Sequence, residues 1–174
     1  MLRGDGQLDT AERTGSRAIN LLPEEGEEIW ICLGHRVLGQ IYQSKGKIKK
    51  AVHHFEVALR IASSLNVAHQ LFWVNLSLAR VFCEQGKFED AQARLEHAKA
   101  HAVRDGFNLA RAMDEQARLW DQQGRVGDAK SEALRAIDAF EKLGAADNME
   151  TTTRFLHQIE ARRPGRPWRF KWRW

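Results

Sequence analysis

Apolar and small side chains recur along this chain at the three-and-four spacing that marks amphipathic helices. They fall at Leu38, Gly39, Ile41 and Tyr42, and after Gly46 at Ala51, Phe55, Ala58, Leu59 and Ala62. The set returns at Leu78, Ala79, Phe82, Gly86, Ala91, Leu95 and Ala98, and again at Ala117, Trp120, Gly124, Ala129, Ala133 and Ala136. Each unit reads as two antiparallel helices joined by a short glycine-containing turn. Gly6, Ala11 and Ala18 continue the series towards the N-terminus, and Ala11, Ala51, Ala91 and Ala129 lie 40, 40 and 38 residues apart. A period in this range predicts stacked repeats rather than one closed globule, and such a strip offers an extended binding surface. Gly39, Ala79 and Ala117 each stand three residues before an aromatic. A neighbouring helix can approach closely there, and the aromatic fills the space beside it.

The pattern resembles the tetratricopeptide repeat. Leu38, Gly39, Tyr42, Gly46, Ala51, Phe55 and Ala58 match it in full. The next unit has Ala79 for glycine and Leu95 for the aromatic; the one after has Gln116 for leucine and Ala133 for the aromatic, which predicts a looser pairing. The resemblance covers about residues 1–143. It implies an all-α fold, antiparallel helix-pair repeats forming a right-handed α-α superhelix. The period exceeds the roughly 34 residues of the basic repeat, so helices or connections are expected to be longer. Extended units of this kind resemble those of kinesin light chain. The stretches RAINLLPEEGEE, FEVALRIASSLNVAHQLFWVNLSLA and SEALRAIDAFEKLGAADNME resemble repeat arrays at the C-terminal end of fungal NB-ARC or NACHT signalling proteins of the STAND type.

The expected organisation begins with an incomplete first repeat over residues 1–25. There Gly6 is the turn, Ala11 and Ala18 lie in the second helix, and Pro23 ends it. Repeats follow over 26–65, 66–105 and 106–143, then a capping helix over 144–162. That helix opens at Asp147 or Asn148, carries Met149, Phe155, Leu156 and Ile159, and is weakened at its start by the β-branched Thr151, Thr152 and Thr153. A basic aromatic tail over 163–174 is expected to be disordered. The unmatched helix at the front implies a piece or shortened relative of a longer array, and possible self-association at that end.

In the resembled family the first helix of each pair lines the inner face. Transferring that geometry gives Arg36, Gln40 and Gln43, then Leu76, Arg80 and Cys83, then Asp114, Arg118 and Asp121, with Trp73 and Arg111 one turn earlier. Arginine grips carboxylates in a bidentate fashion and tryptophan is a rigid apolar anchor, so this stripe is the expected partner-binding groove. The alternative is a solvated face with intrahelical pairs such as Asp114 with Arg118. The lysine and asparagine clamp with which some relatives hold chaperone C-termini is not reproduced.

Charge adds a second reading. The formal net charge is +4, but Arg162, Arg163, Arg166, Arg169, Lys171 and Arg173 sit together near the end; without them 21 basic side chains face 23 acidic ones. Four of them interleave with Trp168, Phe170, Trp172 and Trp174, a composition suited to nucleic acid or anionic membranes. The bland alternative is a truncated or misread gene end. Elsewhere no chemistry stands out. His97 and His101 lie four apart but lack a third metal ligand; His53 and His54, being adjacent, face different sides and one packs. No phosphate loop, H-E-x-x-H or G-x-S-x-G motif occurs. Glu24, Glu25, Glu27 and Glu28 suit a helix start. Cys32 and Cys83 have no metal-like spacing and are expected to be reduced thiols. The expectation is therefore a cytoplasmic binding protein without catalytic residues, cofactor, metal or small-molecule substrate, whose ligand is a protein or peptide.

Overall fold

The computed structural model describes residues 2–20, 28–102 and 105–161. Among these the chain forms eight helices and no strand: α1 Leu2–Asn20, α2 Glu28–Ser44, α3 Ile48–Ser64, α4 Ala68–Glu84, α5 Phe88–Ala102, α6 Gly106–Gln122, α7 Val126–Lys142 and α8 Ala146–Glu160. The structure is a helical-repeat solenoid in which each helix packs on its neighbours in sequence. The additional length of the period lies in the helices. α2, α3, α4, α6 and α7 are each 17 residues long, whereas α5 has 15, and the spacing of helix starts falls from 40 to 38 across that unit.

The turns share one backbone solution. After α2, the N–H of Gly46 donates to Gln43 and that of Lys47 to Tyr42, a paired closure that satisfies the last carbonyls of the helix. Gly86 and Lys87, Gly124 and Arg125, and Gly144 and Ala145 repeat it, and Asn66 and Val67 do the same after α3. This closure requires a left-handed residue, and φ at Gly46, Gly86, Gly124 and Gly144 is 66° to 77°. In the first-to-second-helix turns the following residue is always basic and lies over the aromatic that closes the preceding helix. Lys47 sits 6.0 Å from the Tyr42 ring centre, Lys87 5.8 Å from Phe82 and Arg125 4.8 Å from Trp120. A cation–π contact thus stands where such turns usually place an apolar one.

The core is a row of small clusters between successive helices. Ala51, Ala91 and Ala129 are buried, as are Ala58, Ala98 and Ala136. Gly39 lies so close to Phe55 that a Cβ would meet the ring at 2.5 Å. The fourth unit is polar at its joint: Gln116 is buried, exchanges amide hydrogen bonds with Gln92 on α5, and accepts from Lys99 at 2.7 Å. That interlock joins α6 to α5 of the preceding unit.

Two expectations at the ends are corrected. Gly6 is no turn; it lies inside α1, where its carbonyl accepts from the Thr10 hydroxyl. Ala11 is exposed, unlike its counterparts, because no described helix covers that side of α1. α8 starts after Ala145, not at Asp147 or Asn148, because the Gly144 turn leads straight into it; Asp147 lies in the first turn. The three threonine hydroxyls bond back to carbonyls four residues earlier, and Phe155, Leu156 and Ile159 pack against Ala117, Ala129 and Ala133. Pro23, Glu24, Glu25 and Glu27 lie outside the described residues.

Candidate inner-face binding site

α2 touches α4 and α4 touches α6, whereas α3 with α5 and α5 with α7 make no comparable approach. The strip is therefore tighter on the side of the first helices, which makes α2, α4 and α6 its inner face. All the predicted groove residues lie on these three helices. They divide into a buried group, most of which ties the helices together, and a half-buried group whose side chains make no hydrogen bond or ion pair with the described residues.

The locking group is buried, which tells against the alternative of a solvated face and leaves these residues little surface for a partner. Leu76 is 1% exposed and packs with Phe72, Ala112 and Leu119, so it belongs to the core. Arg80, 9% exposed, pairs across to Glu115 of α6. Burial opposes the charge on Arg80, but Glu115, Asp114 and Glu84 outweigh it, and its pKa is raised. Gln43 donates to Glu84 at 2.7 Å and ties α2 to α4. Burial pushes the Glu84 carboxyl up, against the pull of Gln43 and Arg80. Arg118 holds Asp114 through two hydrogen bonds of 3.1 Å, lies 4.4 Å from the Phe155 ring centre, and shares Asp114 with the hydroxyl of Thr152 on α8. Asp121 is buried as well. Cys83 is pushed up to about 12 by burial and by Glu115, Glu84 and Asp121, so it stays a protonated thiol without nucleophilic character. Cys32 is buried too, donating to the carbonyl of Ala58.

Arg36, Gln40, Trp73 and Arg111 form the second group, each half-buried. The Nε atoms of Arg36 and Arg111 are buried with no hydrogen-bond partner from the described protein. Burial lowers the pKa of both; at Arg111 the neighbouring Arg80 lowers it further, against Glu115 and Asp114. The Arg111 guanidinium lies 5.9 Å from the Trp73 ring centre. One turn before Trp73, the Oε1 of Gln70 is buried and likewise unbonded.

Sequence reasoning passed over Glu84, Glu115, Thr152 and Gln70. Glu115 was within reach of the repeat register: Arg80 and Arg118 are equivalent positions, and Glu115 stands one turn before Arg118. The adjacent histidines separate as expected, with His54 stacking on Tyr42 at 5.1 Å while its Nδ1 lies 3.0 Å from Nδ1 of His35; His53 is exposed. The basic aromatic segment lies outside the described residues. No helix among the described residues is long and apolar enough to cross a membrane.

A solved structure with the same architecture is BtubC (BKLC) from P. vanneervenii, with a TM-score of 0.69 and 16% identity over 98% of this chain and 81% of that one. No curated protein matches the sequence. A family model described as MalT-like TPR region matches residues 1–162. With the alanine-centred helix pairs, the glycine turns and this match over nearly the whole sequence, the chain belongs to the MalT-like TPR family.

Proposed function

We propose that this protein is a non-catalytic interaction module that binds a protein segment along the inner face formed by α2, α4 and α6. Membership of a tetratricopeptide-like family supports a scaffold role. The observation that carries the reading is the division of the face. A buried polar network fixes the three helices, and Arg36, Gln40, Trp73 and Arg111 stand beside it with capacity left for a partner. Arginine and tryptophan are the residue types that dominate binding energy at protein interfaces. The array is, on this reading, the partner-sensing part of a signalling protein akin to the fungal NB-ARC and NACHT type, a link suggested by the stretches quoted above.

The test is selection of peptides from a random displayed library, followed by photo-crosslinking from a benzoylphenylalanine placed at Gln40 or at the outer-face Leu134. Enriched peptides are expected to crosslink from position 40 and to lose affinity in Trp73→Ala. Enrichment of peptides that crosslink only from position 134 would overturn the assignment, as would a library that yields no binder.

A further inference from the structure

We infer that the segment bound on this face is extended and acidic, with two carboxylates that accept from Arg36 and Arg111. This rests on the inner-face reading and adds the chemistry of the ligand. Four arginines lie on the face, and they are not equivalent. Arg80 and Arg118 each meet a carboxylate of the protein. Arg36 and Arg111 lie within ion-pair distance of none, yet their Nε–H groups, like that of Arg80, are withdrawn from solvent. A guanidinium keeps its charge at any accessible pH, so a half-desolvated one is best satisfied by an anionic acceptor in charge-assisted hydrogen bonds.

The buried Oε1 of Gln70 supplies the complementary requirement, an N–H donor. An extended chain has backbone N–H groups free to donate, whereas those in the body of a helix are used internally. Arg36 is on α2 and Arg111 on α6, with α4 between them. Adjacent helix axes lie about 8–10 Å apart, so the two carboxylates stand about five to six residues apart on an extended chain. Trp73, flanked by Arg111, lies between them and offers an apolar surface to the intervening side chains. A nucleic-acid strand fits less well, because Arg80 and Arg118 are already matched by Glu115 and Asp114, so Arg36 and Arg111 can meet two separate anions but the face offers no continuous run of cations for a polyanion.

The experiment uses the full chain and a fluorescently labelled peptide of about ten residues carrying two glutamates five to six positions apart. Its glutamine counterpart and a single-stranded oligonucleotide are compared by anisotropy, with the crosslinker at Gln40 reporting position. Arg36→Met and Arg111→Met remove a charge that makes no ion pair within the protein, so both variants are expected to fold; thermal melts check this. The glutamate peptide is expected to bind at least about tenfold tighter than the glutamine peptide, each variant to cost about tenfold, and added salt to weaken binding. Arg60→Gln on the outer side of α3 should leave affinity unchanged. Equal binding of both peptides with crosslinking retained at position 40 would overturn the acidic reading and leave the groove standing. Failure of either peptide to crosslink there, while library-selected peptides do, would also overturn it. Displacement of the glutamate peptide by the oligonucleotide at low stoichiometry would reassign the two arginines to phosphate.

Discussion

Gly39 shows how a single position sets the distance between two helices. Phe55 fills the crossing of α2 and α3, and a Cβ at residue 39 would overlap its ring. The equivalent crossings pair Ala79 with Leu95 and Ala117 with Ala133, so the first helix gains a methyl where the second gives up bulk. Gly39→Ala is therefore expected to destabilise by about 1–3 kcal/mol through overpacking. Gly127→Ala, with open space around it in α7, should stabilise by up to about 1 kcal/mol. Urea unfolding of the two variants gives the comparison. Glu115 carries a different kind of cost. Glu115→Ala leaves the buried Arg80 charge without its closest anion and is expected to lose about 3–5 kcal/mol, while the double variant Arg80→Met, Glu115→Leu should recover most of it. A double-mutant cycle by chemical denaturation measures this coupling, and it explains why charge reversal at Arg80 or Arg118 would report on folding rather than on binding.

The repeating turn is the unit of regularity at the level of elements. Gly86 adopts φ +71° in open space, so Gly86→Ala costs only the left-handed backbone conformation, about 1–2 kcal/mol, and no collision. Lys87→Ala in the same turn removes the contact with Phe82 and should cost about 0.5–1 kcal/mol, read from the shift in melting midpoint. These features were legible in the sequence because helix crossings and left-handed turns admit few residue types, and Gly and Ala therefore recur in phase. The site was only half legible. Its helices and its stripe follow from the register, but whether Arg80 and Arg36 are available depends on partners in other units, and spacing within one helix does not reveal that Arg80 has Glu115 while Arg36 has no carboxylate. Leu76 was misplaced for a related reason. The inner face is curved inward, and a position that would be solvated on an isolated pair is covered by α6.

For the whole molecule, the α1–α2–α3 junction introduces sensitivity to acid. His35 and His54 approach through their Nδ1 atoms, so one proton serves both rings and a second sets two donors against each other. Burial first, and then nearby cationic groups, hold both pKa values below the ordinary histidine range: His53 and Arg60 at His35, and His35, His53 and Lys50, against Glu12, at His54. The unfolded chain then binds more protons than the folded one as pH drops below about 6.5, and stability declines through that window while remaining full above it. His35→Gln should flatten the dependence, as followed by the urea midpoint between about pH 5 and 8. Tyr42 stacks on His54 and donates to Glu12, so loosening there reaches α1. The polar seam formed by Gln43 with Glu84, Arg80 with Glu115, and Arg118 with Asp114 and Thr152 runs through α2, α4, α6 and α8. Bending the strip would mean opening these pairs, so an arriving ligand meets a cradle whose curvature is already settled. Competing ligands should then dock at similar speeds and differ chiefly in residence time.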